Sequence, residues 1–393
     1  MAVTPFFPEV VDVLPQLKDV AWKRSGADVQ VVYDLRESFV VTDANGTFET
    51  LLELLREGGR GIEELAAALS QRSGREVPVD DVEAAIQALD GHRLLQNGER
   101  LGRPGDTAND RHYSNVAFFE SFATLARSNT DLHSRIRRSH VLVLGTGGLN
   151  STTIPHLCGL GVGRLTLTDR DVVQPRNFAR QYLYRWRDLG RSKVDAAAGW
   201  VREFDPDVRA RAITASIDGP TDVLRLLDEV APDIVMSGVD SPDGVDDWVD
   251  GACVTRGVPY VRAGLWVTQG IVWSVDPGRS ACRGCVRITA EEARATAVDD
   301  SALALAGMDL FRAKPRTNRA IGPVAGLLGS LAAFEVVRYL TRFESPVYAG
   351  NPLEVDFAAG CAMRTVAWRR NAGCACAATT VGSQPRPTAD AAG

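Results

Sequence analysis

The residues with the clearest chemical potential gather around one glycine turn. GTGGLN (145–150) follows the apolar run VLVLG (141–145) and precedes STTIPHLCGLG (151–161). Gly145, Gly147 and Gly148 allow a tight turn whose amide N–H groups, with the following helix N-terminus, can face a phosphate. RLTLTDRD (164–171) then reads as a second strand ending in acid, with Asp169 placed for ribose hydroxyls and Asp171 two residues on. RNFARQ (176–181) supplies Asn177, Arg180 and Gln181; Lys193 follows, and VMSGVDSPDG (235–244) reads as a strand ending at Asp240. A glycine turn alone fits a dinucleotide-binding domain equally well. Two cations and a second strand-end acid around the same turn suit a triphosphate better than hydride transfer.

A second constellation is built from thiols. CRGC places Cys282 and Cys285 at tight spacing, and CAC places Cys374 and Cys376 about ninety residues on. Two pairs of thiolates suit a closed tetrahedral zinc site, and in a reducing compartment metal is expected before disulfides. Cys361 is an alternative ligand for one of the second pair, while Cys158 sits in an apolar helix and reads as packing.

The elements that must position these groups follow from periodicity and punctuation. From Val141 onward, strands and helices alternate as in a parallel sheet wrapped by helices, an α/β Rossmann-like arrangement. RAIGPVAGLLGSLAAFEVVRYLT (319–341) is a small-residue-rich helix expected to pack on that sheet, and residues 118–139 read as one helix. Residues 1–105 form a separate module: strands at 29–35 and 37–43, helices near 47–57, 61–72 and 80–91, and a strand–turn–strand at 93–103. That order is winged-helix-like and α+β. It carries 11 Lys and Arg against 18 Asp and Glu, a balance of −7, the wrong sign for phosphate contact, so peptide rather than nucleic acid is the expected partner. Residues 101–115 are a polar linker, 106–376 the nucleotide domain, and 377–393 a tail expected to be disordered.

The whole chain has 393 residues and a net charge of −6. No run of about 18 apolar residues suggests a membrane span, and the N-terminus has no secretory pattern. A cytoplasmic protein is expected.

The ordered set GxGG turn, DxD strand end, N-x-x-R-Q segment, lysine and later strand-end aspartate resembles the ThiF superfamily of adenylyltransferases, which includes the molybdopterin-synthase and ubiquitin-activating enzymes. The similarity covers roughly residues 111–376. SGVDSPDGVDDWVD (237–250) is most similar to the peptide-modifying members, such as the microcin C adenylating and pantocin-type enzymes. The resemblance implies that Gly148 and its neighbours hold the phosphates of ATP and Asp169 the ribose. It implies that Asn177, Arg180 and Lys193 bind the β- and γ-phosphates and that Asp240 binds magnesium. It also implies a structural zinc at the cysteine pairs and a homodimer.

Three departures stand out. Asn150 occupies the usual last glycine of the turn motif, and the second cysteine pair is CxC rather than CxxC. In RHYSN (111–115), Asn115 falls where the family often has an arginine that reaches the partner subunit's ATP site, with Arg111 as a substitute. Residues 286–360 contain no cysteine, which argues against the thioester relay of ubiquitin-type members, and no sulfurtransferase domain is expected after Cys376. The expected function is adenylation of a carboxyl or carboxamide group of a ribosomally made precursor peptide. The alternatives are a non-catalytic partner that binds and delivers a leader peptide, and an activator of sulfur-carrier proteins.

Overall fold

The computed structural model describes residues 13–34, 37–98, 111–296 and 320–378. The expected second strand of the wing, most of the linker and nearly all of the tail lie outside them. The chain divides into two compact units, Met1–Arg135 and Ile136–Gly393.

In the first unit, β1 (Pro15–Leu17) is followed by the antiparallel sheet β2 (Ala21–Ser25), β3 (Asp28–Asp34) and β4 (Glu37–Thr42), in that order. Helices α1 (Thr47–Glu57), α2 (Ile62–Ser73) and α3 (Val79–Gly91) follow. Gly58 (φ 70°) and Gly74 (φ 69°) stop the first two helices, since a residue with a Cβ is disfavoured in left-handed backbone. Leu51, Leu52, Leu54 and Leu55 of α1 pack with Leu65, Leu69, Ile86 and Val31 into one core. The strand β5 (Leu95–Asn97) pairs antiparallel with β1, so its described partner is the start of the chain.

The helix expected over 118–139 is two helices, α4 (Tyr113–Glu120) and α5 (Asn129–Arg138). A turn with Thr124 N–H donating to Arg127 O, and Arg127 N–H to Thr124 O, separates them. A reciprocal cap restarts the helix: Asp131 N–H donates to Ser128 Oγ (3.0 Å), and Ser128 N–H to Asp131 Oδ2 (3.1 Å).

The second unit is built on an eight-stranded sheet. Its strands are β6 (His140–Leu144), β7 (Arg164–Asp169), β8 (Arg209–Thr214), β9 (Ile234–Ser237), β10 (Tyr260–Trp266), β11 (Gln269–Val275), β12 (Leu353–Asp356) and β13 (Ala362–Thr365). The spatial order is β13-β12-β11-β10-β9-β6-β7-β8. The five strands from β10 to β8 are parallel and the rest antiparallel. Every residue of β6 and β9 is buried, as expected for strands covered on both faces.

The covering helices are α6 (Asn150–Gly159), α7 (Lys193–Phe204), α8 (Pro220–Val230), α9 (Val245–Arg256), α10 (Arg283–Thr296) and α11 (Gly322–Thr341). Among the described residues, α11 alone is long and apolar enough to cross a membrane. Here it is a core helix. Its Glu335 is fully buried and accepts from Ser274 Oγ (2.7 Å) and Tyr348 N–H (2.9 Å).

Candidate active site

From β6 the chain moves outward to β7 and β8, then returns to the other side of β6 as β9. The loops leaving β6 and β9 therefore diverge at a topological switch point, where open α/β sheets bind ligands. Leu144 and Ser237 stand in register at the two strand ends. The glycine turn begins after one and the Asp240 loop after the other.

Gly145 is left-handed (φ 80°), and a Cβ there would stand 3.0 Å from Val239 Cγ1, so the two loops pack directly on each other. Thr146 N–H and Oγ1–H both donate to Asp169 Oδ2, at 2.7 and 2.9 Å. Asp169 Oδ1 accepts from Asp171 N–H (2.9 Å). The buried Tyr184 hydroxyl donates to the Thr146 carbonyl (2.7 Å) and lies 2.8 Å from its Oγ1; burial pushes this phenol well above its ordinary range.

After this anchored start, the N–H groups of Gly147, Gly148, Leu149 and Asn150 donate to no acceptor among the described residues. Four successive amides at a helix start form a cradle for an anion. On the far side, α11 props up the turn. Gly329 comes so close that a Cβ would stand 2.7 Å from Leu149 O, and its own carbonyl accepts from Thr153 Oγ1 (3.2 Å).

Of the expected groups, Arg180 lies directly on this cradle. The Arg180 side chain lies across Gly148, where a Cβ would meet Arg180 Cγ at 3.0 Å and Nε at 3.2 Å. The Arg180 guanidinium has no carboxylate partner among the described residues. Lys193, at the first position of α7, is buried, and its Nζ donates to Asp171 Oδ2 (2.7 Å). Its backbone N–H donates to Asp171 O (2.9 Å), tying the start of α7 to the end of β7.

Asn177 and Gln181 are buried in the turn between them. Asn177 Oδ1 accepts from Gln174 N–H (2.8 Å), and Asn177 O accepts from Arg180 and Gln181 N–H. Asn177 thus shapes the segment that aims Arg180. Asp240 is exposed and unpaired among the described residues, but it lies in the loop three residues beyond the end of β9 rather than at the strand end. Sequence reasoning missed Thr146 and Tyr184, neither of which belongs to a spaced motif.

The four cysteines meet in a separate place. The Sγ atoms of Cys282, Cys285, Cys374 and Cys376 all lie within 4.8 Å of one another, and all four residues are buried. Individual separations are 3.6 Å (Cys282–Cys374), 3.9 Å (Cys282–Cys285) and 3.3 Å (Cys285–Cys376). Four sulfurs about 2.3 Å from one zinc would stand about this far apart. Cys361 is exposed in the β12–β13 turn, outside the cluster, which removes it as a fourth ligand. Burial pushes Cys282 well up and Cys376 up to about 12. Cys285 is also raised by burial, but N–H groups of Asn371 and Cys282 outweigh this and hold it at about 7. Asp250 accepts from the N–H groups of Arg283 (3.1 Å) and Gly284 (3.2 Å), fixing the CRGC turn against α9.

A parallel sheet with a switch-point phosphate cradle, a strand-end acid and flanking cations defines a nucleotide-binding α/β protein. A match to the ThiF family spans residues 120–376, and the chain belongs to that family. The sulfur carrier protein ThiS adenylyltransferase of Escherichia coli (strain K12) is 28% identical over 246 residues, 62% of this chain and 88% of that protein. The molybdopterin-synthase adenylyltransferase of the same organism is 27% identical over 246 residues, 62% of this chain and 89% of that protein. Among solved structures, E. coli MccB matches with a TM-score of 0.72 at 18% identity, over 93% of this chain and 97% of that chain. PaaA matches with a TM-score of 0.61 at 16% identity, over 88% of this chain and 98% of that one. The protein is a ThiF-type, ATP-dependent adenylyltransferase.

Proposed function

We propose that this enzyme adenylates a carboxyl or carboxamide group of a ribosomally made precursor peptide. The observation that carries the nucleotide half of this reading is the run of four amides at Gly147–Asn150 and the Arg180 guanidinium laid across it, none of which has a partner among the described residues. The peptide half rests on coverage. The fold of MccB aligns with 93% of this chain and 97% of its own, so that likeness extends beyond residues 120–376 of the ThiF match. MccB has been solved with ATP and with its peptide MccA. On this reading the winged-helix-like N-terminal module (residues 1–105) captures the leader of the precursor by strand addition at its small sheet. Residues 106–376 carry out the chemistry.

In the reaction an oxygen of the substrate carboxylate, or the corresponding carboxamide atom, attacks the α-phosphorus of ATP. The bond to the β-phosphate oxygen breaks and pyrophosphate leaves. Attack on an already anionic centre requires fixed positive charge. The cradle amides hold phosphate oxygens, Arg180 and Lys193 neutralise the β- and γ-phosphates, and Asp169 and Asp171 bind the ribose and its surroundings. Asp240, an exposed carboxylate without a partner among the described residues, on the loop that packs on the turn, suits a hard cation such as Mg2+, which would supply charge neutralisation on the phosphates. The thiol cluster fits a structural Zn2+, which would pin the chain segment at 374–376 to α10. Exposed Trp186, stacked on Phe178 with centroids 4.6 Å apart, and exposed Tyr182 are aromatic surface residues suited to a homodimer contact.

The decisive experiment is mass spectrometry of a candidate precursor peptide incubated with enzyme, ATP and Mg2+. Lys193→Ala should abolish pyrophosphate release while leaving peptide binding, read by fluorescence anisotropy, unchanged. Unchanged turnover in that variant would remove Lys193 from the chemistry, whereas peptide binding without pyrophosphate release by the unmodified protein would favour a delivery role over catalysis. Adenylation of a sulfur-carrier protein but of no peptide would favour the cofactor-synthesis reading.

A further inference from the structure

Arg262 is an arginine at an unusual depth. It lies on β10 with 6% of its surface exposed, in register with Ser237, which is in register with Leu144. It therefore stands on the row of the sheet from which both site loops depart. Its Nε donates to Asp246 Oδ1 at 2.7 Å, and its Nη1 donates to the Ala263 carbonyl. The guanidinium carbon is 5.6 Å from the centroid of Trp273. Gly264 leaves room beside it, since a Cβ there would stand 3.4 Å from Nη1.

Asp246 belongs to the first turn of α9, two residues past the left-handed Gly244 (φ 90°) that closes the loop carrying Asp240. The loop is thus fastened at one end by Ser237 in the sheet and at the other by the Arg262–Asp246 pair. Between these fastenings it packs on the glycine turn. Val239 touches Gly145, and Gly238 approaches Asn150 so closely that a Cβ would stand 2.5 Å from Asn150 Nδ2.

We propose that Arg262 is a positioning residue. Through Asp246 it sets the first turn of α9, and so places the Asp240 carboxylate relative to the phosphate cradle. This rests on the proposed role of Asp240 toward metal-bound ATP. The side chain touches neither the cradle nor Asp240, so its effect is on geometry. A carboxylate displaced by about 1 Å at a reacting centre can cost about a hundredfold in rate.

The test compares Arg262→Met, Arg262→Lys and Asp246→Asn with the unmodified full chain. Hydrogen exchange of the amides from Gly238 to Trp248 reads the loop directly. ATP–pyrophosphate exchange as a function of Mg2+ reads its consequence, and calorimetry of Mg2+-free ATP reads the cradle. Arg262→Met should speed exchange across Gly238–Trp248 and raise half-saturating Mg2+ by about 10-fold or more. It should leave Mg2+-free ATP affinity within about twofold. Arg262→Lys, which keeps a charge for Asp246 but loses the directional Nε bond, should recover part of both effects and serves as the reporter should the methionine variant not fold. The proposal is overturned if the variants lose thermal stability while loop exchange and Mg2+ dependence stay at the unmodified values. If the unmodified enzyme shows no ATP–pyrophosphate exchange, the reading of function fails instead, and loop exchange alone decides whether the clamp exists.

Discussion

Gly147→Ala separates the fold from the nucleotide site more cleanly than any other change. The backbone at Gly147 is not left-handed, and a Cβ built there meets no protein atom within 4 Å. The substitution should leave the folded protein intact, and the reduced freedom of the unfolded chain should stabilise it by up to about 1 kcal/mol. A phosphate seated on the N–H groups of Gly147, Gly148 and Leu149 must, however, approach the same Cα to within van der Waals distance. The added methyl then displaces the anion and weakens one or two charge-assisted hydrogen bonds, each of about 1.5–3 kcal/mol. At about 1.4 kcal/mol per decade, ATP affinity should fall by at least about 10-fold. Isothermal calorimetry gives the affinity and thermal unfolding the stability. Gly145→Ala is the contrasting control: its φ of 80° and the 3.0 Å approach to Val239 predict loss of stability as well as binding. Equal ATP affinity in Gly147→Ala and unmodified enzyme would refute the cradle, because nothing else in the structure requires that methyl-sized space to be empty.

Other changes probe the supports of the site. Chelation of zinc, or Cys374→Ser, should lower Tm by more than about 6 °C. A closed tetrathiolate site contributes several kcal/mol, each worth about 2–4 °C in a unit of this size; an unchanged melting curve with no metal by elemental analysis would remove the zinc. Asp43 caps α1 by accepting from Phe48 N–H and Glu49 N–H, both at 3.1 Å. Burial raises its pKa, but these N–H groups and Arg24 outweigh that and hold its carboxyl below the usual 3.8. Its stabilisation is therefore complete above about pH 4 and is lost as pH falls through the depressed value. Asp43→Asn, which keeps an acceptor but loses the charge at the helix start, should cost about 0.3–1 kcal/mol at pH 7 and progressively less in acid, and a constant difference across that window would count against the assignment. Finally, Gly238→Ala should destabilise by about 1–3 kcal/mol through overlap with Asn150 but much less in an Asn150→Gly background; additive denaturant midpoints would show the two are uncoupled.

Local grammar was legible in the sequence, while contacts between distant segments were not. The bounds of α1, α2 and α3 fall within a residue or so of those read from periodicity, because Gly58 and Gly74 stop the first two helices in left-handed backbone. The Ser128–Asp131 cap was equally readable, yet the apolar run at 116–119 masked it and fused two helices into one. The pairing of β1 with β5 was invisible, since two three-residue strands about eighty residues apart carry no periodic signal. The end of β9 was placed three residues late because Gly238 and Val239 continue the apolar pattern after the ladder has stopped. At the site, the residue types were readable but their division of labour was not. Asn177 Oδ1 is held by the turn that aims Arg180, which leaves its Nδ2 as the donor for the expected phosphate contact. Despite the CxC spacing, Cys374 and Cys376 gather with Cys282 and Cys285 in one cluster that does not include Cys361.

The departure at Asn150 shows how the two site loops came to be matched. A glycine at that position would leave the carbonyls of Leu144 and Gly145 without the bonds that Asn150 Nδ2 now makes to them, at 3.2 and 2.7 Å. The larger side chain needs space, and Gly238 supplies it by having no Cβ. One loop therefore carries a side chain where the other has none, and the glycine turn is keyed to the loop that carries Asp240. The same economy governs the cations. Lys193 is held by Asp171, whose side chain is 57% exposed, so the buried ammonium is compensated before any nucleotide arrives. Asp169 already accepts three hydrogen bonds from the turn and from Asp171, leaving about one acceptor position for a ribose hydroxyl. On the proposed reading of this site, the turn, its acid and its lysine are assembled in advance, and little reorganisation would remain on ATP binding. That is the condition under which fixed dipoles and charges stabilise a transition state most.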